Sequence, residues 1–228
     1  MDLSAFERRI YSQNGEDGVI AEIFRRIGTG PRFAVEFGVG DGSECMTRCL
    51  FEQGWDVLQM DARAGPPPVK HERITAENVN ALFAKYGVPH GLDLLVIDID
   101  GNDFWVWKAI DNAYQPRLVV VEYNASIPPI LARSVAYDPD LVWDGSTYFG
   151  ASLLALSWLA RAKGYDLVYC DNSGTNAFFV RSDVNDLPAL TPTLAYREPR
   201  YGAHRPAARA MVEIGEDLNE VGHAPTTR

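Results

Sequence analysis

Phe33-Ala-Val-Glu-Phe-Gly-Val-Gly-Asp-Gly42 carries an apolar run into three alternating glycines, with an acid, Glu36, two residues before the first. Gly38, Gly40 and Gly42 can take positive φ and admit a ligand against bare backbone, and a following helix would aim free N–H groups at a carboxylate or phosphate. A carboxylate beside that turn repels a pyrophosphate. It suits instead a nucleoside cofactor with an ammonium or sulfonium group, such as S-adenosylmethionine. Asp61 lies 25 positions after Glu36 (61 minus 36), where a second strand end can offer its carboxylate to ribose hydroxyls; a solvated strand-end aspartate is the alternative. Thr75, after the apolar Ile74, either hydrogen-bonds an adenine or N-caps the helix that follows.

A second group of polar residues gathers further along the chain. Asp98 and Asp100 are expected to face opposite sides and to act separately, one on the amino-acid part of the cofactor and one capping the next turn. The carbonyl of Asn124 can accept hydrogen bonds from a substrate amine, or close an Asx turn ahead of Pro128-Pro129. Asp100, Asp103, Asp171 and Asn172 carry oxygen ligands for a divalent ion, but hairpin and N-cap roles explain the same residues, so no metal is expected. Cys45 and Cys49 read as core or groove packing, since no histidine or further cysteine pair follows at ligand spacing. Trp105, Trp107, Tyr123, Trp143, Tyr148 and Phe149 supply rings on which a sulfonium or ammonium gains about 0.5–2 kcal/mol; Trp105 and Trp107 do not share a helix face, so one is expected to look onto a pocket or partner. No histidine occupies an obvious catalytic turn: His71 and His90 flank strands, and His204 and His223 lie in the tail. An alcohol acceptor would therefore depend on Asp100, Asp103 or Tyr123 as base.

These residues need a sheet to converge. Strands are expected over 32–37, 56–60, 71–74, 92–99 and 117–123, with helices after Asp17 and over 43–53, 76–86, 103–112 and 149–163. The run Leu92–Ile99 has the composition of a central parallel strand, and Tyr165–Cys170 with Asn176–Arg181 forms a closing hairpin through Asp171-Asn-Ser-Gly174. The result is an α/β chain with a doubly wound, Rossmann-like, mostly parallel seven-stranded sheet and a C-terminal antiparallel hairpin, whose strand ends bring Glu36, Asp61, Asp98, Asp100 and Asn124 to one edge. Residues 1–185 read as one domain with residues 1–30 as a helical cover; residues 186–228, rich in Pro, Arg and Ala, read as an extension, arm or partial lid.

A chain of 228 residues with net charge −10 lacks the basic footprint of a nucleic-acid binder, which favours small molecules. No run of about 18 apolar residues marks a membrane span. Three cysteines and no apolar leader are read as a cytoplasmic protein with reduced thiols, able to form a homodimer.

Tyr11-Ser-Gln-Asn-Gly-Glu-Asp17, Val35-Glu-Phe-Gly-Val-Gly-Asp-Gly42, Gly54-Trp-Asp-Val-Leu58, Leu95-Val-Ile-Asp-Ile-Asp-Gly101 and the ending Asn172-Ser-Gly-Thr-Asn-Ala-Phe-Phe-Val-Arg181, in this order, resemble the FkbM-like group of class I S-adenosylmethionine-dependent methyltransferases. The resemblance implies that Glu36, Gly38 and Gly40 hold the methionine part, that Asp61 holds the ribose, and that the Ser12-Gln13 region folds over the cofactor. Ser43, Thr75 and Asp98 complete the expected cofactor shell, with Asp100, Asn124 and Tyr148 at the reacting end. The sequence departs from the group at the fourth strand, where Asp98-Ile-Asp-Gly-Asn-Asp103 replaces Asp-Val-Glu-Gly. The expected activity is N- or O-methylation of a small molecule. Two alternatives are a cyclase or lyase that forms a small cyclic amino acid and methylthioadenosine, with Asn124, Tyr148 and Asp100 holding the amine, and a non-catalytic cofactor-binding module. A nicotinamide dehydrogenase is disfavoured because Ser43 stands in place of the third glycine and Glu36 opposes a pyrophosphate.

Overall fold

The strand Phe33–Phe37 (β1) is apolar on both faces except at Glu36, and this forces it into the middle of a sheet covered on both sides. The computed structural model, which describes residues 2–63, 65–66 and 68–221, places it there. Parallel to β1 lie Asp56–Asp61 (β2) on one side and Leu94–Ile97 (β4) on the other. Lys70–His71 (β3) pairs with β2, and Leu118–Glu122 (β5) pairs with β4. Tyr165–Cys170 (β7) and Asn176–Arg181 (β8) form the predicted hairpin, with β8 inserted antiparallel between β5 and β7. The order β3-β2-β1-β4-β5-β8-β7 is the expected doubly wound seven-stranded sheet. Its strand order reverses beside β1, where a crevice opens at the carboxyl edge.

Alternation along β4 splits the core into two layers. Leu94 and Val96 pack with Val19, Ile20 and Ile23 of the helix Glu16–Ile27 (α1), whereas Leu95 and Ile97 pack on the opposite face with Phe83, Phe104 and Leu156. Those three residues come from the helices Val79–Lys85 (α3), Asp103–Ala109 (α4) and Leu153–Ala162 (α5). The polar stretch ahead of α1 is ordered by Asp17, whose Oδ2 accepts the N–H groups of Ile10 (2.9 Å), Tyr11 (2.8 Å) and Ser12 (2.8 Å) and the Ser12 hydroxyl (2.8 Å). Glu16 ties the same stretch to β8 through Asn176 Nδ2, 2.8 Å away. Gln13 is thereby held over the carboxyl edge.

Several boundaries differ from the sequence reading; α3 and α4 span Val79–Lys85 and Asp103–Ala109 rather than 76–86 and 103–112. The helix expected over 43–53 is only Arg48–Glu52 (α2), the third strand is two residues long rather than covering 71–74, and the helix expected from 149 starts at Leu153, capped by Ser152. The last departure arises because Ala151 pairs with Ser134 as a β-bridge and so holds the preceding chain extended.

The extension carries elements of its own. After the short helix Pro192–Ala195 (α6), Val212–Ile214 (β9) pairs antiparallel with Arg133–Ser134 (β6) and with Glu220–Val221 (β10), making a second, three-stranded sheet. Ala195, Val212 and Ile214 are buried in the same core layer as Leu95 and Val119. His223 lies outside the described residues. No helix among the described residues is long and apolar enough to cross a membrane.

Candidate functional site

Gly38, Gly40 and Gly42 all have positive φ, at 80°, 55° and 80°. A Cβ on Gly38 would collide with the carbonyl oxygen of Asp98, so this glycine allows the β1 and β4 ends to touch; a Cβ on Gly40 would meet no atom within 4 Å. The helix expected to direct free N–H groups from this loop at a ligand does not begin there. Instead, Met46 N–H and Thr47 N–H donate to Glu36 at 2.8 and 3.0 Å, and the Thr47 hydroxyl donates to it as well. Glu36 is thus a buried staple that folds the loop back on β1; burial pushes its carboxyl up, opposed by the Thr47 and Met46 donors.

A cavity of about 220 Å³ opens beside the loop. Gln13, Glu36, Gly38, Gly40, Ser43 and Asp98 line it, and its other polar side chains are Asp41 and Glu44. It is an acidic cavity without a lysine or arginine in its wall. A second cavity of about 270 Å³, walled by Arg48, Phe51, Val57 and Val69, lies against the loop's other side at Asp41 and Gly42. Asp61 adjoins the loop through Gly40 N–H, which donates to its Oδ2 at 2.8 Å, while Arg63 N–H donates to Oδ1 at 2.6 Å. Each carboxylate oxygen keeps a further lone pair. Thr75 does not line this cavity, and Asn78, not Thr75, precedes α3; Asn78 Oδ1 accepts Thr75 N–H at 2.8 Å.

The expectation for Asp98 and Asp100 is overturned. Their carboxylates do not diverge: together with Glu122 they bring one oxygen each to within 4.8 Å of one another. Residues two apart along a strand share a face, and Asp100 then turns through a left-handed backbone at φ 56°. In the β4–β5 register Ile97 stands opposite Val121, so the next residues, Asp98 and Glu122, are neighbours. Burial raises both carboxyls well above the usual range, and the charges of their acidic neighbours raise them further. Asp103 stands apart from this group because Ile99 N–H and Gly101 N–H donate to it at 2.8 and 3.0 Å; burial pushes it up to about 7.

Asn124 and Tyr148 are also corrected. Asn124 is fully buried, with its Nδ2 donating to the carbonyls of Thr147 (3.0 Å) and Phe149 (2.9 Å) and its Oδ1 accepting from the N–H and hydroxyl of Ser126. It closes the Asx turn and cannot also hold a substrate amine. The Tyr148 hydroxyl accepts Ala136 N–H at 3.0 Å and fastens the 125–147 segment. Tyr123 is equally committed, since its hydroxyl donates to the Arg197 carbonyl at 3.0 Å. Asp171 accepts N–H groups from Ser173, Thr175 and Asn176 within its own hairpin, as a turn residue does. Of the paired tryptophans, Trp107 is core and Trp105 binds the Val135 carbonyl at 2.8 Å.

Sequence reasoning missed what the extension delivers. His204, expected in the tail, stacks on Tyr201 with ring centroids 5.1 Å apart and packs against Trp143 and Phe149 at 5.0 and 5.6 Å. Burial raises Asp100, opposed first by the charge of Arg63, and burial followed by the charge of Glu122 raises Tyr201, so this aromatic group lies within electrostatic range of the acids. Nothing local in the sequence signals it, and the pairing of Glu122 with Asp98 is likewise set by the register between two strands rather than by any local pattern. Compared with protein-family models and with curated proteins, the chain matches none.

Proposed function

We propose that the chain is an S-adenosylmethionine-dependent transferase, similar to the FkbM-like group, which methylates a nitrogen or oxygen of a small molecule. One observation carries the reading: six of the residues expected around that cofactor, from Gln13 to Asp98, line a single acidic cavity at the carboxyl edge of a doubly wound sheet. Its wall fits a sulfonium and an ammonium and opposes a pyrophosphate. When bound, the cofactor supplies an electrophilic methyl group. Gly38 and Gly40 offer bare backbone to it, Gln13 closes over it, and the remaining lone pairs of Asp61 can accept ribose hydroxyls. Proximity alone serves an amine acceptor. For an alcohol, Asp103 and Tyr123 are committed to backbone partners, which leaves Asp100 as the base when no cation occupies it. The unpaired thiols of Cys45, Cys49 and Cys170 support a cytoplasmic setting.

The cyclisation alternative relied on Asn124, Tyr148 and Asp100; Asn124 is taken up by Thr147, Phe149 and Ser126 and cannot hold the amine, which favours methyl transfer. Calorimetric titration with S-adenosylhomocysteine and with NAD, followed by incubation with S-adenosylmethionine and a panel of amines and alcohols, tests the reading. Binding of S-adenosylhomocysteine and its acceptor-dependent formation are expected. Acceptor-free methylthioadenosine would replace methyl transfer with cyclase or lyase chemistry, binding without turnover would indicate a non-catalytic module, and binding of NAD alone would overturn the reading.

A further inference from the structure

Most acids at the carboxyl edge are engaged by local donors: Glu36 by Met46 and Thr47, Asp61 by Gly40 and Arg63, Asp103 by Ile99 and Gly101. Asp98, Asp100 and Glu122 are the exception. Among the described residues none of the three carboxylates accepts a hydrogen bond from the protein, and none takes part in an ion pair. Oε2 of Glu122 is enclosed and meets no donor, and Nδ1 of the nearby His204 is likewise enclosed and unpartnered. A buried carboxylate oxygen without a partner is costly, and three acids converging without an ion pair cost more.

We propose that Asp98, Asp100 and Glu122 form a binding site for a single hard divalent cation, of the Mg²⁺ or Mn²⁺ kind, beside the glycine-loop cavity. An ion held at about 2.1–2.4 Å from each ligand brings its oxygens to within roughly 4–5 Å of one another, and hard cations select such an all-oxygen set. The three oxygens lie within 4.8 Å of one another, so one ion can gather them with a small movement of the side chains. The set differs from the one the sequence offered, because Asp103 and Asp171 spend their oxygens on backbone N–H groups and Glu122 takes their place. Asp98 belongs to this group and also to the wall of the 220 Å³ cavity, so the ion would border any ligand there. The site rests on the carboxylates alone and does not require the cofactor reading.

The full chain is titrated with MnCl₂ alone, followed by electron paramagnetic resonance and calorimetry. A single Mn²⁺ per chain is expected to bind, with affinity reduced about 10-fold or more in Asp98→Asn and Glu122→Gln. Glu220→Gln, an exposed acid on the second sheet, should bind as the unaltered chain does. Asp100→Asn gives the same reading if the Asp98 and Glu122 variants fail to fold, since Asn tolerates the left-handed backbone at that exposed position. Absence of binding at millimolar Mn²⁺, equal affinity in all the variants, or methylammonium taking the site in place of Mn²⁺ would overturn the proposal. Titration with S-adenosylhomocysteine without metal reads the adjacent cavity separately, so failure of one claim is distinguishable from failure of the other.

Discussion

Gly38 and Gly40 look alike in the sequence yet do different work. Both need positive φ, which costs an L-residue about 1–2 kcal/mol, but only at Gly38 would an added Cβ strike backbone, the carbonyl of Asp98. Gly38→Ala should therefore cost on the order of 3 kcal/mol or more and Gly40→Ala on the order of 1 kcal/mol, read from urea unfolding midpoints. Equal costs would contradict the close approach of β1 and β4. Asn124 makes a second case. Its Asx turn with Ser126 was legible, because turn chemistry is local; its bonds to the carbonyls of Thr147 and Phe149 were not, because they join residues 23 and 25 positions apart. Asn124→Ala leaves those carbonyls without their donor, so a loss on the order of 2 kcal/mol or more is expected in the same unfolding measurement. The folded variant should keep its affinity for S-adenosylhomocysteine; a specific loss of that affinity would restore Asn124 to the binding machinery.

At the scale of elements, hydrophobic period and strand composition fixed where β1, β2, β4, β5, β7 and β8 run, since burial on one or both faces is written in each residue. Helix starts were less legible, because a helix begins where its N–H groups are not claimed by something distant. α2 starts late because Glu36 takes Met46 and Thr47 N–H, and α5 starts late because Ala151 is bridged to Ser134. α1 permits a pH test. Hydrogen bonds from Arg25, then from Arg26, hold the Glu22 carboxyl down at about 2, below its ordinary 4.5. A carboxylate whose folded value is depressed adds stability that is fully present above its unfolded value and is lost as pH falls through the folded one. Glu22→Gln should accordingly lower the unfolding midpoint above about pH 4.5, and the two proteins should converge as pH approaches about 2. Denaturant titrations across that window check it, and a constant difference throughout would rule out the ion pairs as the cause.

For the whole molecule, the question is whether the second sheet is a separate unit or part of one cooperative body. Composition pointed to an extension, arm or partial lid because Pro and Arg are frequent after residue 185 and no period of two or 3.6 is sustained there. The contacts that fasten it are long-range: β9 pairs with β6 and Tyr196 donates to the Ala125 carbonyl at 2.7 Å, while Lys108 on α4 reaches the Leu218 carbonyl at 2.7 Å. Val212 and Ile214 are 2% and 3% exposed within the core layer that also covers β4 and β5, so the extension cannot leave without uncovering that layer. Unfolding of β9 should then carry a free energy close to that of the central sheet rather than that of a fraying terminus. Native-state hydrogen exchange decides this: the amide of Ile214, bonded to the Ala132 carbonyl at 2.9 Å, is expected to match the protection of β5 amides. Protection of Ile214 far below that of β5 would make the extension an independent cover. The same link brings His204 and Tyr201 to Asp100 and Glu122, so one cooperative transition means that the acidic edge and its aromatic neighbours form and dissolve together.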